Sequence, residues 1–359
     1  MKALALVESP DHVCCRYRIR PFEAALAGLG WSLAVEGLAR GPVARPAQLR
    51  GARRFDAVIL QRKLPSAWEF EVLRRSSRRL VFDLDDAVFW RDSYHPRGQQ
   101  SASRWARFSR LARRADAVIA GNDFLAGRAL RAGAGEGAVH RIPTCVDPAR
   151  YPIREHAPGA PVRLAWIGSS STMRGIEGRR DLWDRIAREV PGIRMRVISD
   201  RAPDLGAMPV EFVPWSEATE AAALAECDAG VSWTPDDPWS RGKCGLKVLQ
   251  YLAAGLPVVA NPVGVHGEMV ANGRSGFLVD SDDDWLVAVG RLADDADLRR
   301  RLGREARGAV ERDFSADRWA SRFAEVVTGR AVGSTPRPRL GPGDVRGACR
   351  PGPAGGSRR

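Results

Sequence analysis

Arg241-Gly-Lys-Cys-Gly-Leu-Lys-Val-Leu-Gln-Tyr-Leu-Ala-Ala-Gly-Leu-Pro-Val-Val-Ala-Asn-Pro-Val-Gly-Val-His-Gly-Glu-Met-Val-Ala-Asn-Gly-Arg-Ser-Gly-Phe-Leu-Val279 decides the fold of this chain. It reads as a glycine loop, a helix from about Leu246 to Ala254 stopped by Gly255, a buried strand at Pro257 to Asn261 and a second glycine loop. Gly242 and Gly245 let the backbone approach a ligand closely. The positive end of the helix dipole, together with Lys243 and Lys247, suits an anion such as a diphosphate. The dipole contributes about 0.3–1 kcal/mol at an exposed phosphate and each charge-assisted hydrogen bond about 1.5–3 kcal/mol, so direct cation contacts dominate.

Composition sharpens that point. Of 56 Lys plus Arg residues only four are lysine, Lys2, Lys63, Lys243 and Lys247. Arginine is the default cation, so two of the four lysines in one stretch mark a place where a compact ammonium fits phosphate oxygens better than a planar guanidinium. The alternative is a solvated helix start.

Outward from this stretch, strands and helices alternate. A first strand, Ala3 to Glu8, leads into a helix carrying Ile19, Phe22, Ala25, Leu26 and Leu29 at helical spacing. Apolar runs at Ala57 to Gln61, Leu80 to Asp83 and Ala117 to Ala120 alternate with arginine-studded helical stretches, as a parallel sheet covered on both faces requires. Three prolines between 152 and 161 interrupt the pattern, which restarts at Val162 to Gly168 and continues through Arg194 to Ser199, Glu211 to Val213 and Ala229 to Trp233. The expected architecture is α/β, with two Rossmann-like doubly wound domains at 1–151 and 162–312 facing a central cleft. A linker spans 152–161, a last helix at 313–329 crosses back to the first domain, and 330–359 is a disordered basic tail.

The net charge of +13 looks like a nucleic-acid signature, but residues 330–359 hold seven arginines against one aspartate, so nearly half of the surplus sits in the tail. No run approaches the roughly 18 apolar residues of a membrane helix, and the first residues are too soon charged for a signal peptide. A cytoplasmic protein follows as the expectation, with at most peripheral contact at the inner face of the membrane. The six cysteines show no paired metal spacing, so reduced thiols are expected.

In open parallel sheets ligands bind beyond the carboxyl ends of the strands, and three loops stand there. Ile167-Gly-Ser-Ser-Ser-Thr-Met-Arg-Gly175 offers Gly168, Ser169 and Ser170 before a helix, with Arg174 as a charged donor; N-capping alone also explains it. Trp233 to Lys243 feeds the helix already described. Phe82-Asp-Leu-Asp-Asp-Ala-Val-Phe-Trp90 carries three carboxylates, of which strand alternation turns Asp83 and Asp85 one way and Asp86 the other. Substrate hydroxyls, a metal, or capping and salt bridging are its possible roles. Arg16, Tyr17, Arg18 and Arg20 follow the first strand toward an acceptor, and Trp215 borders either a base or the core.

With these residues in view, the chain resembles the retaining glycosyltransferases of the GT-B type, especially family 4, over most of residues 3–328 and most strongly over 241–279. There the family typically shows Glu, any seven residues, Glu, then Ala-Met-Ala-x-Gly-x-Pro-Val-Val-Ala, a Val-Gly-Gly-type loop and Asn-Gly-x-x-Gly-Phe-Leu-Val. The resemblance implies transfer of a hexose-like group from a nucleoside-diphosphate sugar to a hydroxyl acceptor, whether glycan, lipid or small molecule. It implies no cofactor, no metal and no specific nucleic acid. The donor would be held by Gly168, Ser169, Ser170, Arg174, Lys243, Lys247, Gln250, Gly264 and Val265.

Two departures matter. Gly242 stands where the family has its first glutamate, leaving room for Lys243 or a neighbouring amide to serve in its place, and Gln250 stands at the second, where it still accepts one ribose hydrogen bond. Asp83 falls nearest a histidine that contacts the donor sugar in many relatives. Asp83 and Lys243 are therefore the candidate catalytic residues. Loss of both glutamates leaves open a binding or scaffold module that kept the fold without turnover; a GT-B phosphorylase or epimerase is also open.

Overall fold

The computed structural model describes residues 1–159 and 161–331. The tail beyond residue 331, expected to be disordered, lies outside the described residues. Among the described residues twelve strands form two six-stranded sheets. The first contains β1 (Lys2–Val7), β2 (Ser32–Gly37), β3 (Ala57–Gln61), β4 (Leu80–Leu84), β5 (Ala117–Ala120) and β6 (Val139–Arg141). The second contains β7 (Val162–Ile167), β8 (Ile193–Ser199), β9 (Val210–Pro214), β10 (Ala229–Ser232), β11 (Val258–Ala260) and β12 (Gly276–Leu278). Every strand pairing is parallel.

Parallel strands need helical crossovers, and these cover both faces, so β3, β4 and β5 are buried along their whole length. That burial is why they read as continuous apolar runs and do not alternate. Apolar clusters flank each sheet: Phe82, Phe89 and Phe108 on one side of the first and Phe22, Ile59 and Phe323 on the other. In the second lobe Trp183 meets Trp285 edge-on at 5.7 Å.

Strand order places the cleft. The first sheet runs β2-β1-β3-β4-β5-β6 and the second β12-β11-β10-β7-β8-β9, so the direction of winding reverses between β1 and β3 and between β7 and β10. At such switch points the two following loops part, opening a crevice at the carboxyl ends. The loops after β1, β3, β7 and β10 all line one cavity between the lobes.

Two segments tie the lobes together. The prolines of the connecting stretch keep it extended along the second lobe, where Arg154 donates its backbone N–H to Ala254 and the His156 ring bonds the Gly255 carbonyl at 2.9 Å. The helix Ala316–Thr328, N-capped by Ser315, packs on the first sheet: Phe323 stacks on Phe22 at 4.3 Å, and Arg79 donates to the Val326 carbonyl.

Candidate active site

The cavity between the lobes has a volume of about 650 Å³, within the range of small-molecule and cofactor sites. Its second-lobe wall is built around the helix Leu246–Ala253. Gly245 starts that helix in the left-handed region, φ 65°, and a Cβ there would lie 2.6 Å from the Met269 sulfur and 2.8 Å from Val265. Only glycine permits the turn, and it leaves the helix start open toward the cavity.

Val248, Leu249, Tyr251 and Leu252 fix the helix in the core, while Lys243 and Lys247 line the cavity. The Lys247 ammonium sits over the Trp166 ring, 4.3 Å from its centroid, and Lys243 over Trp239 at 5.4 Å. Burial, and after it the neighbouring Lys243, pushes the Lys247 ammonium down to about 7. Among the described residues neither ammonium lies within ion-pair distance of a carboxylate, whereas buried arginines such as Arg16 and Arg18 are paired to Glu220 and Asp83. Two neighbouring cations thus line the cavity with neither held in a direct ion pair, the Asp86 carboxylate being near enough to feel Lys243 without bonding it. Behind them His266 bonds the Asn261 carbonyl and the Ser232 hydroxyl, and burial pushes its ring down to about 4, leaving it neutral.

The serine loop follows expectation only in part. Gly168 and Ser169 line the cavity, and a Cβ at 168 would meet Trp166 at 2.8 Å. Ser170, in contrast, spends both its N–H and its hydroxyl on Asp200, each at 2.6 Å, and does not line the cavity. Ser171 and Thr172 take its place. Arg174 is exposed over the Tyr94 ring at 5.9 Å and is also absent from the lining, although Gly175 beside it is present. Of the three expected phosphate cations, the fold brings two together and leaves the third outside. On the second glycine loop Val265 lines the cavity, but Gly264 does not; its φ of 59° turns the chain against Arg241, whose Cα would be 3.3 Å from an added Cβ.

Asp83 is not at the cleft. Its side chain is fully buried, its Oδ1 accepts from Arg18 Nη2 at 2.5 Å, and its Oδ2 accepts from Gln61 at 3.3 Å. The reason is that Asp83 still belongs to β4, and β4 ends one residue later at Leu84. Past that point strand alternation no longer applies, so Asp85 and Asp86 do not diverge. Both line the cavity and both pair with Arg62, at 3.3 and 3.1 Å. Burial raises the Asp86 carboxyl, with Lys243 and Arg62 opposing it. Arg62 adopts φ 58°, a conformation that non-glycine residues rarely hold.

The two departures from the family pattern also resolve. Gly242 leaves no room for a side chain of its own: a Cβ there would stand 2.6 Å from the Ala87 Cβ and 3.0 Å from its backbone nitrogen, so the first lobe fills that space, while Lys243 beside it lines the cavity. Gln250 lines the cavity but donates its Nε2 across the lobes to the Tyr17 hydroxyl at 3.2 Å. Tyr17 in turn meets Tyr151 at 2.7 Å and donates to Glu220 at 2.9 Å, where Arg16 and the Trp215 indole also converge at 2.9 and 2.7 Å. Glu220 and His266 were not singled out from the sequence. Trp215, read as bordering either a base or the core, was the one signal near Glu220, and nothing local marked His266.

Residues 162–295 match the family model described as Glycosyl transferases group 1. A glycogen synthase of Mycobacterium tuberculosis is 28% identical over 223 residues, which cover 58% of this chain and 53% of that one. A D-inositol 3-phosphate glycosyltransferase of Corynebacterium efficiens is 38% identical over 101 residues, covering 26% and 23% of the two chains. Among solved structures, sucrose-phosphate synthase from Thermosynechococcus elongatus superposes with a TM-score of 0.73 at 18% identity, over 90% of this chain and 97% of that one. Anabaena HepE, solved in complex with UDP-glucose, gives 0.67 at 17% identity over 92% and 100%. The chain therefore has the GT-B fold, and residues 162–295 of its second lobe are what is similar to the glycosyl transferases group 1. It spans about half the length of the glycogen synthase that it matches.

Proposed function

We propose that the chain transfers a sugar from a nucleoside-diphosphate donor to a hydroxyl acceptor, with retention and without a metal or other cofactor. The observation that carries this is the pair of ammoniums, Lys243 and Lys247, at the open start of the helix Leu246–Ala253. As the bond from sugar to phosphate breaks, charge grows on the departing diphosphate, and cations already fixed beside it favour the transition state over the ground state. The matched relatives are named as sugar-transferring enzymes and HepE was solved with UDP-glucose, which supports a nucleotide-sugar donor.

In this reading Asp85, Asp86 and Arg62, and not Asp83, face the transferred sugar or the acceptor hydroxyl from the first lobe. Contact between the lobes excludes water and limits donor hydrolysis. Among the described residues no helix is long and apolar enough to cross a membrane. We place the reaction in the cytoplasm, with at most peripheral membrane contact.

Isothermal titration with ADP, GDP and UDP tests the assignment. One of them should bind the parent chain, and more weakly after Lys247→Ala; equal affinity in the variant overturns it. A second reading, a nucleotide-sugar-binding module without turnover, is favoured by the space at Gly242 filled by Ala87 and by the commitment of Gln250 to Tyr17. Donor binding with neither transfer nor hydrolysis across a panel of nucleoside-diphosphate sugars would select it.

A further inference from the structure

We propose that Asn122, on the first lobe, is a positioning residue for the diphosphate site of the second. The inference rests on Lys243 as a donor-phosphate ligand. Asn122 is buried and N-caps the helix Asp123–Arg131, where its Oδ1 accepts the Leu125 N–H at 2.8 Å. That bond fixes which way the amide points. Its Nδ2 is thereby turned across the lobes and donates to the carbonyl of Lys243 at 3.0 Å and to that of Arg241 at 3.4 Å. One side chain thus ends a first-lobe helix and holds the backbone of the loop that carries the catalytic ammonium.

The loop is held on both sides of that bond. Cys244 is buried against Gly121, where an added Cβ would fall 2.3 Å from its sulfur, and it packs within the first-lobe core. Gly242 abuts Ala87, and the Ser240 hydroxyl meets that of Ser93 at 3.3 Å. Residues 240–244 belong by sequence to the donor lobe and by packing to the other. A diphosphate ligand on this loop is therefore set in place only while the lobes are together, and closing the lobes and forming the donor site are one event.

Asn122→Asp separates the two roles of the residue. Aspartate still caps the helix, but it offers a carboxylate to two carbonyls that have lost their donor. Asn122→Ser keeps the cap and cannot reach the loop. In both variants amide hydrogen exchange at residues 241–245 should accelerate while the melting temperature stays within a few degrees of the parent. Affinity for the diphosphate that the parent binds should fall about tenfold or more, with donor KM rising and acceptor KM unchanged. Unchanged exchange at 241–245 overturns the proposal, as does faster exchange with unaltered diphosphate affinity. If the parent binds no diphosphate the functional reading fails by itself, and the exchange result still decides whether Asn122 holds the loop.

Discussion

The ammonium of Lys247 lies 4.3 Å from the centroid of the Trp166 ring, with a second ammonium, Lys243, close enough to disfavour its charge. Trp166 is the last but one residue of β7 and Lys247 lies in the first turn of a helix that follows β10, so the contact spans the switch point of the second sheet. A cation held there over an aromatic face, with no carboxylate beside it, has a free energy that an arriving anion can lower.

A pH signature follows from that environment. The ordinary lysine value is 10.5, and burial lowers it to about 7 in the folded chain. Between these values the unfolded chain binds the extra proton, so stability should rise as pH increases from about 7 toward 10. Diphosphate binding runs the other way, because the bound anion favours the charged ammonium. Calorimetry near pH 8 in buffers of differing ionisation enthalpy should show proton uptake on binding, and Lys247→Met should abolish it.

Arg174 and Lys243 should part company. Arg174 is exposed over Tyr94, outside the cavity, so Arg174→Ala should change diphosphate affinity by no more than about 0.5 kcal/mol. Lys243→Ala removes a charge that lines the site and should weaken binding about tenfold or more. Titration of the two variants side by side measures the difference.

Asp83 should act on stability, not on chemistry. Asp83→Asn leaves Arg18 charged and without its buried partner, a loss of about 3–5 kcal/mol in denaturant unfolding. Asp86→Asn, on the cavity wall, should instead lower turnover with little loss of stability. A folded Asp83→Asn chain with abolished transfer would contradict the assignment.

Restoring an acidic side chain at position 242 should not restore a family-like site. A Cβ there meets Ala87 at 2.6 Å, so Gly242→Glu, and even Gly242→Ala, should push the lobes apart. Small-angle scattering should show a larger radius of gyration for both variants, and nucleotide affinity should fall with it.

Much of the fold was legible because its signals are local. Buried parallel strands announce themselves as uninterrupted apolar runs, and Gly255, with φ 71°, stops its helix where the pattern said it would. Gly245, Lys243 and Lys247 were legible for the same reason, since glycines and two lysines in an arginine-rich chain are visible within six residues, whereas the left-handed turn at Gly245, φ 65°, emerged only in the structure. Ser170 and Arg174 misled because a serine loop looks the same whether its donors face a ligand or, as here, Asp200 thirty residues on. The register of Asp83 was misjudged by where β4 ends, which is set by its pairing with β5 and not by its own residues.

The sequence by itself determined two doubly wound sheets and the helix start that bears the two lysines, because strand burial and charge type are properties of neighbouring residues. Only the tertiary structure decided which polar groups are free. Asp83 is consumed by Arg18, Gln250 by Tyr17 and Ser170 by Asp200, and Asn122 reaches Lys243 across 121 positions of chain. Buried polar groups take partners within the fold, and those partners are chosen by contacts between distant parts of the chain that no local pattern encodes.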